Sequence, residues 1–183
     1  MKWPAYMQKL RRRDKPVCRG IEMLILTASR EQEVRLMKWG EVDFDAAVWT
    51  VSAERMKARK EHVVPLSKQA VELLRSIPHT GDRVFSYSDS AVWNEQRRIL
   101  GQDTKVTAHG FRSCFRDWAG DDIREFDREA IEFSLAHKLK DKAEASYRRT
   151  KALNKRRLIM QSWADCCHAI EAGTNVTQLR RQG

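Results

Sequence analysis

The sequence predicts a mainly α-helical domain carrying one small three-stranded antiparallel sheet near residues 42–66. Three observations lead there. Apolar residues recur at helical spacing along most of the 183-residue chain. β-formers concentrate in one stretch, at Phe44, at Val48-Trp49-Thr50-Val51 and at His62-Val63-Val64-Pro65-Leu66. Hydrophobic residues make up 42% of the chain, enough to bury a sizeable core in a domain of this length.

The elements follow in order. Trp3, Tyr6, Met7 and Leu10 share a helical face between Pro4 and Pro16, and Ile21 to Leu26 is an apolar run that reads as a buried helix. Ser29-Arg30-Glu31-Gln32 has the capping-box pattern, with Ser29 as N-cap and Gln32 three residues later. Val34 and Met37 or Lys38 continue that helix, and Gly40 stops it. In the β segment, the basic stretch Arg55-Met56-Lys57-Ala58-Arg59-Lys60-Glu61 forms the cationic tip of a hairpin. Ser67 caps a helix that turns Ala70, Val71, Leu74 and Ile77 to one face. Past the Gly81-Asp82 turn, Ser88 to Leu100 forms a helix with Val92, Ile99 and Leu100 inward. Phe111, Phe115, Trp118 and Ala119 stripe the next helix, and Ala130 to Leu135 lie on another. The last long helix carries Leu158, Ile159, Trp163, Cys167 and Ile170. Residues 1–172 therefore read as one domain and 173–183 as a flexible polar tail.

The net charge of +10 points to a polyanionic partner, and its placement is uneven. Residues 1–20 hold seven Lys or Arg against Asp14 alone, and residues 138–160 hold nine against Asp141 and Glu144. Residues 118–135 reverse this, with six acids against Arg124 and Arg128. Such alternation suggests one face for nucleic acid and another for solvent or protein. No apolar run is long enough for a membrane span, and no signal-peptide core follows the first lysine. Cys18, Cys114, Cys166 and Cys167 form no CxxC pair and read as reduced thiols of a cytosolic protein. No acidic cluster has metal-ligand spacing, which disfavours a two-metal nuclease. Phosphoryl chemistry needs cations where charge develops, and arginine supplies a planar fork that stays charged. Arg30 sits at a helix start, and Arg112 stands beside His109 in His109-Gly110-Phe111-Arg112.

Together these residues resemble the tyrosine recombinases, in their prophage-type integrase branch. Thr27-Ala28-Ser29-Arg30-Glu31-Gln32-Glu33 is similar to the family's first arginine box. Glu54-Arg55-Met56-Lys57, leading into Glu61-His62-Val63-Val64-Pro65-Leu66-Ser67, resembles its β-hairpin with a catalytic lysine. Thr107-Ala108-His109-Gly110-Phe111-Arg112 resembles the HxxR box, and Leu135-Ala136-His137 the later histidine motif. Tyr147, ten residues on and followed by Arg148-Arg149, stands at the nucleophile's place. Arg156 to Ala164 extends a match that runs from about Trp3 to Cys167. Each piece alone is common; the six in order are specific. Two departures are small: Ala28 and Ala136 stand where many relatives have glycine.

The resemblance implies a helical recombinase catalytic domain that cuts and rejoins DNA for integration or excision of a prophage or mobile element. Tyr147 would attack the scissile phosphate, leaving a 3′-phosphotyrosine and a free 5′-hydroxyl. Arg30 and Arg112 would clamp the non-bridging oxygens, His109 and His137 would bond the phosphate, and Lys57 would protonate the leaving oxygen. Glu33 would orient a neighbour. Arg55, Arg59, Lys60, Arg148 and Arg149 would contact DNA. No metal or other cofactor is implied. The implied partners are double-stranded attachment sites, with four protomers assembled on DNA and a monomer when free. The implied setting is the bacterial cytoplasm, at the nucleoid. The family's N-terminal arm-binding and core-binding domains have no counterpart in these residues. Two other readings compete: a type IB topoisomerase with the same active-site plan, and a non-catalytic DNA-binding remnant.

Overall fold

Helix α2, Pro16–Thr27, is apolar on nearly every side, so it can be stable only where every face is covered. The remaining elements cover it. The computed structural model describes residues 3–56, 58–121, 126–136 and 145–169, with side chains of the last stretch from 152 onward. In these residues the helices are α1 (Trp3–Arg11), α2, α3 (Glu31–Arg35), α4 (Lys68–Arg75), α5 (Ala91–Leu100), α6 (Ala108–Ala119), α7 (Arg128–Ser134) and α8 (Ala145–His168). The strands are β1 (Val42–Asp43), β2 (Val48–Val51) and β3 (His62–Pro65). Helices α1, α3, α4, α5, α6 and α8 all pack on α2. Gly20 lets the segment before α5 approach α2 as well: a Cβ there would meet the Tyr87 ring. Among the described residues no helix is long and apolar enough to cross a membrane.

Helix α8 closes the core. Its Ile159, Trp163 and Cys167 lie in one i, i+4 row and are buried. The Trp163 ring meets Trp3, Phe115 and Trp118 at centroid distances of 5.5, 5.6 and 5.1 Å. Its indole N–H donates to the Ile25 carbonyl of α2 at 2.6 Å. Leu158 falls outside that row and is 68% exposed. Ile170 and the tail lie outside the described residues.

The sheet has the order β1-β2-β3 and is antiparallel throughout, as the sequence predicts. Val51 pairs with His62, and Trp49 with Val64. Trp49, Val51 and Val64 face the core. Two neighbouring arginines of α8 fasten the sheet: Arg156 donates to the Val63 carbonyl at 2.7 Å and Arg157 to the Ala46 carbonyl at 2.8 Å. Phe44 lies in the β1–β2 turn and not in a strand.

Three local expectations are corrected. The N-cap of α3 is Arg30, one residue later than the Ser29 cap suggested by the sequence, because Glu33 and not Gln32 turns back to the cap amide. Helix α3 then stops at Arg35 instead of running towards Gly40. The following backbone is drawn into bonds with the 82–84 segment, Trp39 to Asp82 and Val84 to Met37. On α5 the buried face is Val92, Glu95 and Gln96, while Ile99 and Leu100 are only half-buried. Glu95 tolerates burial because Arg13 bonds it at 2.5 Å and Arg98 at 3.1 Å. Ser67 does cap α4, accepting from the Ala70 amide at 3.2 Å.

Trp163 joins the aromatic cluster to the central helix, so Trp163→Ala is expected to lower the unfolding free energy by about 3–5 kcal/mol. Urea denaturation against the unchanged chain measures this.

Candidate active site

The site grows from the end of α2. An apolar helix must stop where the chain turns to the surface, and here it stops on Ala28 in the left-handed conformation (φ 49°). This turn delivers Arg30 to the start of α3 in extended backbone. Glu33, one turn later, is buried and bonds Arg30 twice. One carboxylate oxygen accepts the Arg30 amide at 2.8 Å and the other accepts the guanidinium at 2.8 Å. Arg30 is thus held from one side while about a third of its side chain, 34%, remains exposed.

Arg112 arrives from the opposite side. Thr107 caps α6 by accepting the Gly110 amide at 3.1 Å. Arg112 lies in the second turn, 6% exposed. Its Nη1 donates to the Ala28 carbonyl and its Nη2 to the Leu135 carbonyl, the latter at 2.7 Å. Leu135 immediately follows α7, and Ala136 after it is again left-handed (φ 52°). The two alanines that replace a frequent glycine therefore occupy the two turns joined by Arg112. Burial, followed by the nearby Arg30, brings the Arg112 guanidinium down to about 10, which leaves it charged at neutral pH.

The hairpin is tied to the same place. Arg55 donates to the Glu33 carbonyl at 2.5 Å and pairs with Glu41. Its side chain is only 17% exposed, so in this structure Arg55 serves as an anchor between hairpin and α3. Glu41 also accepts the Trp49 indole N–H at 3.1 Å. Arg59 and Lys60 are exposed beyond this anchor. His109 is exposed on the first turn of α6, one turn before Arg112 and on a neighbouring face. Lys57 and His137 lie outside the described residues. Tyr147, Arg148 and Arg149 belong to the first turns of α8, but their side chains are outside the described ones. Of the expected set, Arg30, Arg112 and Glu33 are therefore the members brought together here.

One neighbour of this cluster escaped the sequence reading. His62, half-buried at the start of β3, stands opposite Val51 of β2. Burial, then the charges of Arg156, Arg112 and Arg30, pushes its imidazole down to about 3, so it is neutral at physiological pH. The only sequence signal was a histidine heading an otherwise apolar strand. The assembled cluster is a preorganised cationic site: one arginine fixed by a buried acid, a second by two carbonyls, and a neutral imidazole beside them. Such an arrangement can bind a phosphodiester and stabilise charge developing on it. Among the described residues, no group of three or more His, Cys, Asp or Glu is placed to hold a metal ion.

Residues 3–152 match the phage integrase family. The chain is 35% identical over 172 residues to the integrase of Enterobacteria phage P4, covering 80% of this chain and 39% of that protein. It is 36% identical over 181 residues to the prophage integrase IntZ of Escherichia coli (strain K12), covering 93% of this chain and 44% of that one. The integrase of Shigella phage Sf6 is 33% identical over 155 residues, covering 79% and 40%. The chain thus spans about two fifths of the length of these relatives. No solved structure gives a significant match.

The folded His62 stays neutral down to about 3, whereas the unfolded one takes up a proton near 6.5. Acid therefore favours the unfolded chain. This contribution to stability is complete above pH 6.5 and is lost as the pH falls towards 3. His62→Gln is expected to flatten the rise of unfolding free energy with pH across that window, by up to ~1.4 kcal/mol per pH unit. Urea titrations at a series of pH values, compared between the two proteins, measure the difference.

Proposed function

Because the chain belongs to the phage integrase family, we propose that it is the catalytic domain of a tyrosine recombinase that cuts and rejoins double-stranded DNA. The reaction serves the integration or excision of a mobile element. The observation that carries this reading is the pairing of Arg30 and Arg112 across the Ala28 turn, with each guanidinium held by protein groups suited to hold it still. A scissile phosphate entering this cluster meets fixed cations without waiting for side chains to reorganise, which is the largest lever available to phosphoryl transfer.

In this mechanism the Tyr147 oxygen attacks phosphorus, a 3′-phosphotyrosine forms, and the 5′-oxygen leaves with a proton from Lys57. Tyrosine is a poor nucleophile at neutral pH, its ordinary pKa being ~10. His109 therefore assists removal of its proton, and the arginines stabilise the charge that develops on the phosphate. His137 adds a hydrogen bond to a non-bridging oxygen. The bond energy is kept in the phosphotyrosine, so rejoining is the reverse attack by a 5′-hydroxyl. Arg59, Lys60, Arg148 and Arg149 bind the DNA backbone. Four protomers act together on two attachment sites, and the free chain is a monomer in the bacterial cytoplasm.

A nicked duplex taken from the junctions of the element with its host chromosome traps the covalent state, because the released 5′ fragment diffuses away. The chain is expected to give a protein–DNA adduct on a denaturing gel, and Tyr147→Phe none. Arg30→Ala is expected to slow adduct formation by roughly 10²–10³-fold. An adduct that persists in Tyr147→Phe, or DNA binding without any adduct, rejects the mechanism.

A further inference from the structure

Helix α3 is too short to hold itself. Five residues do not repay the cost of starting a helix, so its shape depends on contacts from outside. Where it ends, its backbone bonds step over one carbonyl. The Leu36 amide bonds the Gln32 carbonyl at 3.2 Å and the Met37 amide bonds the Val34 carbonyl at 3.0 Å, with the Glu33 carbonyl between them. Arg55 supplies the donor there, its Nη2 standing 2.5 Å away. That carbonyl belongs to the residue whose carboxylate accepts both the amide and the guanidinium of Arg30. Whatever steadies Glu33 therefore steadies Arg30.

Arg55 suits this post because it is fixed at both ends. Its backbone lies in the turn after β2, where its amide bonds the Ser52 carbonyl at 3.1 Å, and the next side chain, Met56, is buried in the core. Its Nη1 pairs with one oxygen of Glu41. The other oxygen of Glu41 accepts the Trp49 indole N–H and the Lys38 amide, each at 3.1 Å. Arg55 brings a cation to the helix that begins at Arg30, and the Glu41 carboxylate offsets it. A planar fork can meet a carboxylate and a carbonyl at once; an ammonium on a flexible stem gives no such fixed plane.

We propose that Arg55 is a positioning residue for DNA cleavage: held by Glu41, it supplies the donor at the Glu33 carbonyl and so fixes the carboxylate that aims Arg30. Its catalytic part rests on the recombinase reading above, while the tie itself does not.

The experiment has two arms on the same proteins. In the first, amide hydrogen exchange is followed at Arg30 and Val34, which bond to the Glu33 carboxylate and the Arg30 carbonyl. Arg55→Met keeps an apolar stem without the donors. It is expected to speed exchange at both amides roughly fivefold to tenfold, the equivalent of one net hydrogen bond, and to leave the α2 amides unchanged. If Arg55→Met does not fold, Arg55→Met with Glu41→Gln replaces it, removing the buried charge left behind. In the second arm, adduct formation on the nicked duplex at saturating DNA is expected to slow roughly tenfold, with DNA affinity and its salt dependence unchanged. In a Glu33→Ala background, loss of Arg55 is expected to slow cleavage no further, because the two act in series. Unchanged exchange at Arg30 and Val34 overturns the tie. Weaker binding, with a salt slope smaller by about 1, makes Arg55 a direct phosphate contact and overturns the positioning role. So does a further slowing in the Glu33→Ala background, or loosened exchange with a wild-type cleavage rate. If the unaltered chain forms no adduct, the recombinase reading falls, and the catalytic role with it. The exchange arm still decides the tie.

Discussion

The site depends on how the buried charge of Arg112 is satisfied. A guanidinium removed from water needs acceptors, and the fold supplies two carbonyls, from Ala28 and Leu135, where α2 and α7 have just ended. Both helix ends carry partial negative charge, so two dipoles as well as two hydrogen bonds favour a cation between them. The same contacts fix the two turns that lead to Arg30 and towards His137. One side chain thus joins segments more than a hundred residues apart in the chain. Mutual repulsion with Arg30 is the cost of placing two arginines together, and the buried carboxylate of Glu33 offsets it.

Glu33 has a second use that spreads this order outward. Its side chain holds Arg30, and its main-chain carbonyl accepts from Arg55 at the base of the hairpin. The hairpin is therefore referenced to the same short helix as the first arginine. On the other side of the sheet, Arg156 and Arg157 refer it to α8, the helix that begins at Ala145 and includes Tyr147. Elements with little regular structure of their own, a five-residue helix and two-to-four-residue strands, gain their positions from charged side chains bonded to main-chain carbonyls.

Much of this fold was legible in the sequence, for definable reasons. The long apolar stripes of α1, α2, α6 and α8 dictate their own burial, and the Ser67 cap is local chemistry. Errors arose where tertiary contacts override a local pattern. Ser29 looks like a cap, but it is itself buried, and the glutamate that closes the cap is chosen by its bond to Arg30. Glu95 looks like surface, and cations from residues 11–20 and Arg98 draw it in. In the site, Arg30 and Arg112 could be named from short motifs. His62 could not, because only the folded chain sets it among the charges of Arg156, Arg112 and Arg30. Arg55 shows the converse: a basic stretch suggests solvent or DNA, while this member of it folds back onto Glu41.

The bond from Trp163 to the Ile25 carbonyl also sets an order in time. Ile25 stands three residues before the Ala28 turn, so the end of α2 that Arg112 grips is also the end that Trp163 steadies. On a ribosome, where the chain emerges from its N-terminus, residues 3–136 are made before Trp163 exists. The arginine cluster can be sketched by then but not closed, since the wall formed by α8 is still missing. A nascent chain thus completes the scaffold of its two clustered arginines only near the end of its synthesis, when the helix that includes Tyr147 docks as part of the same closure.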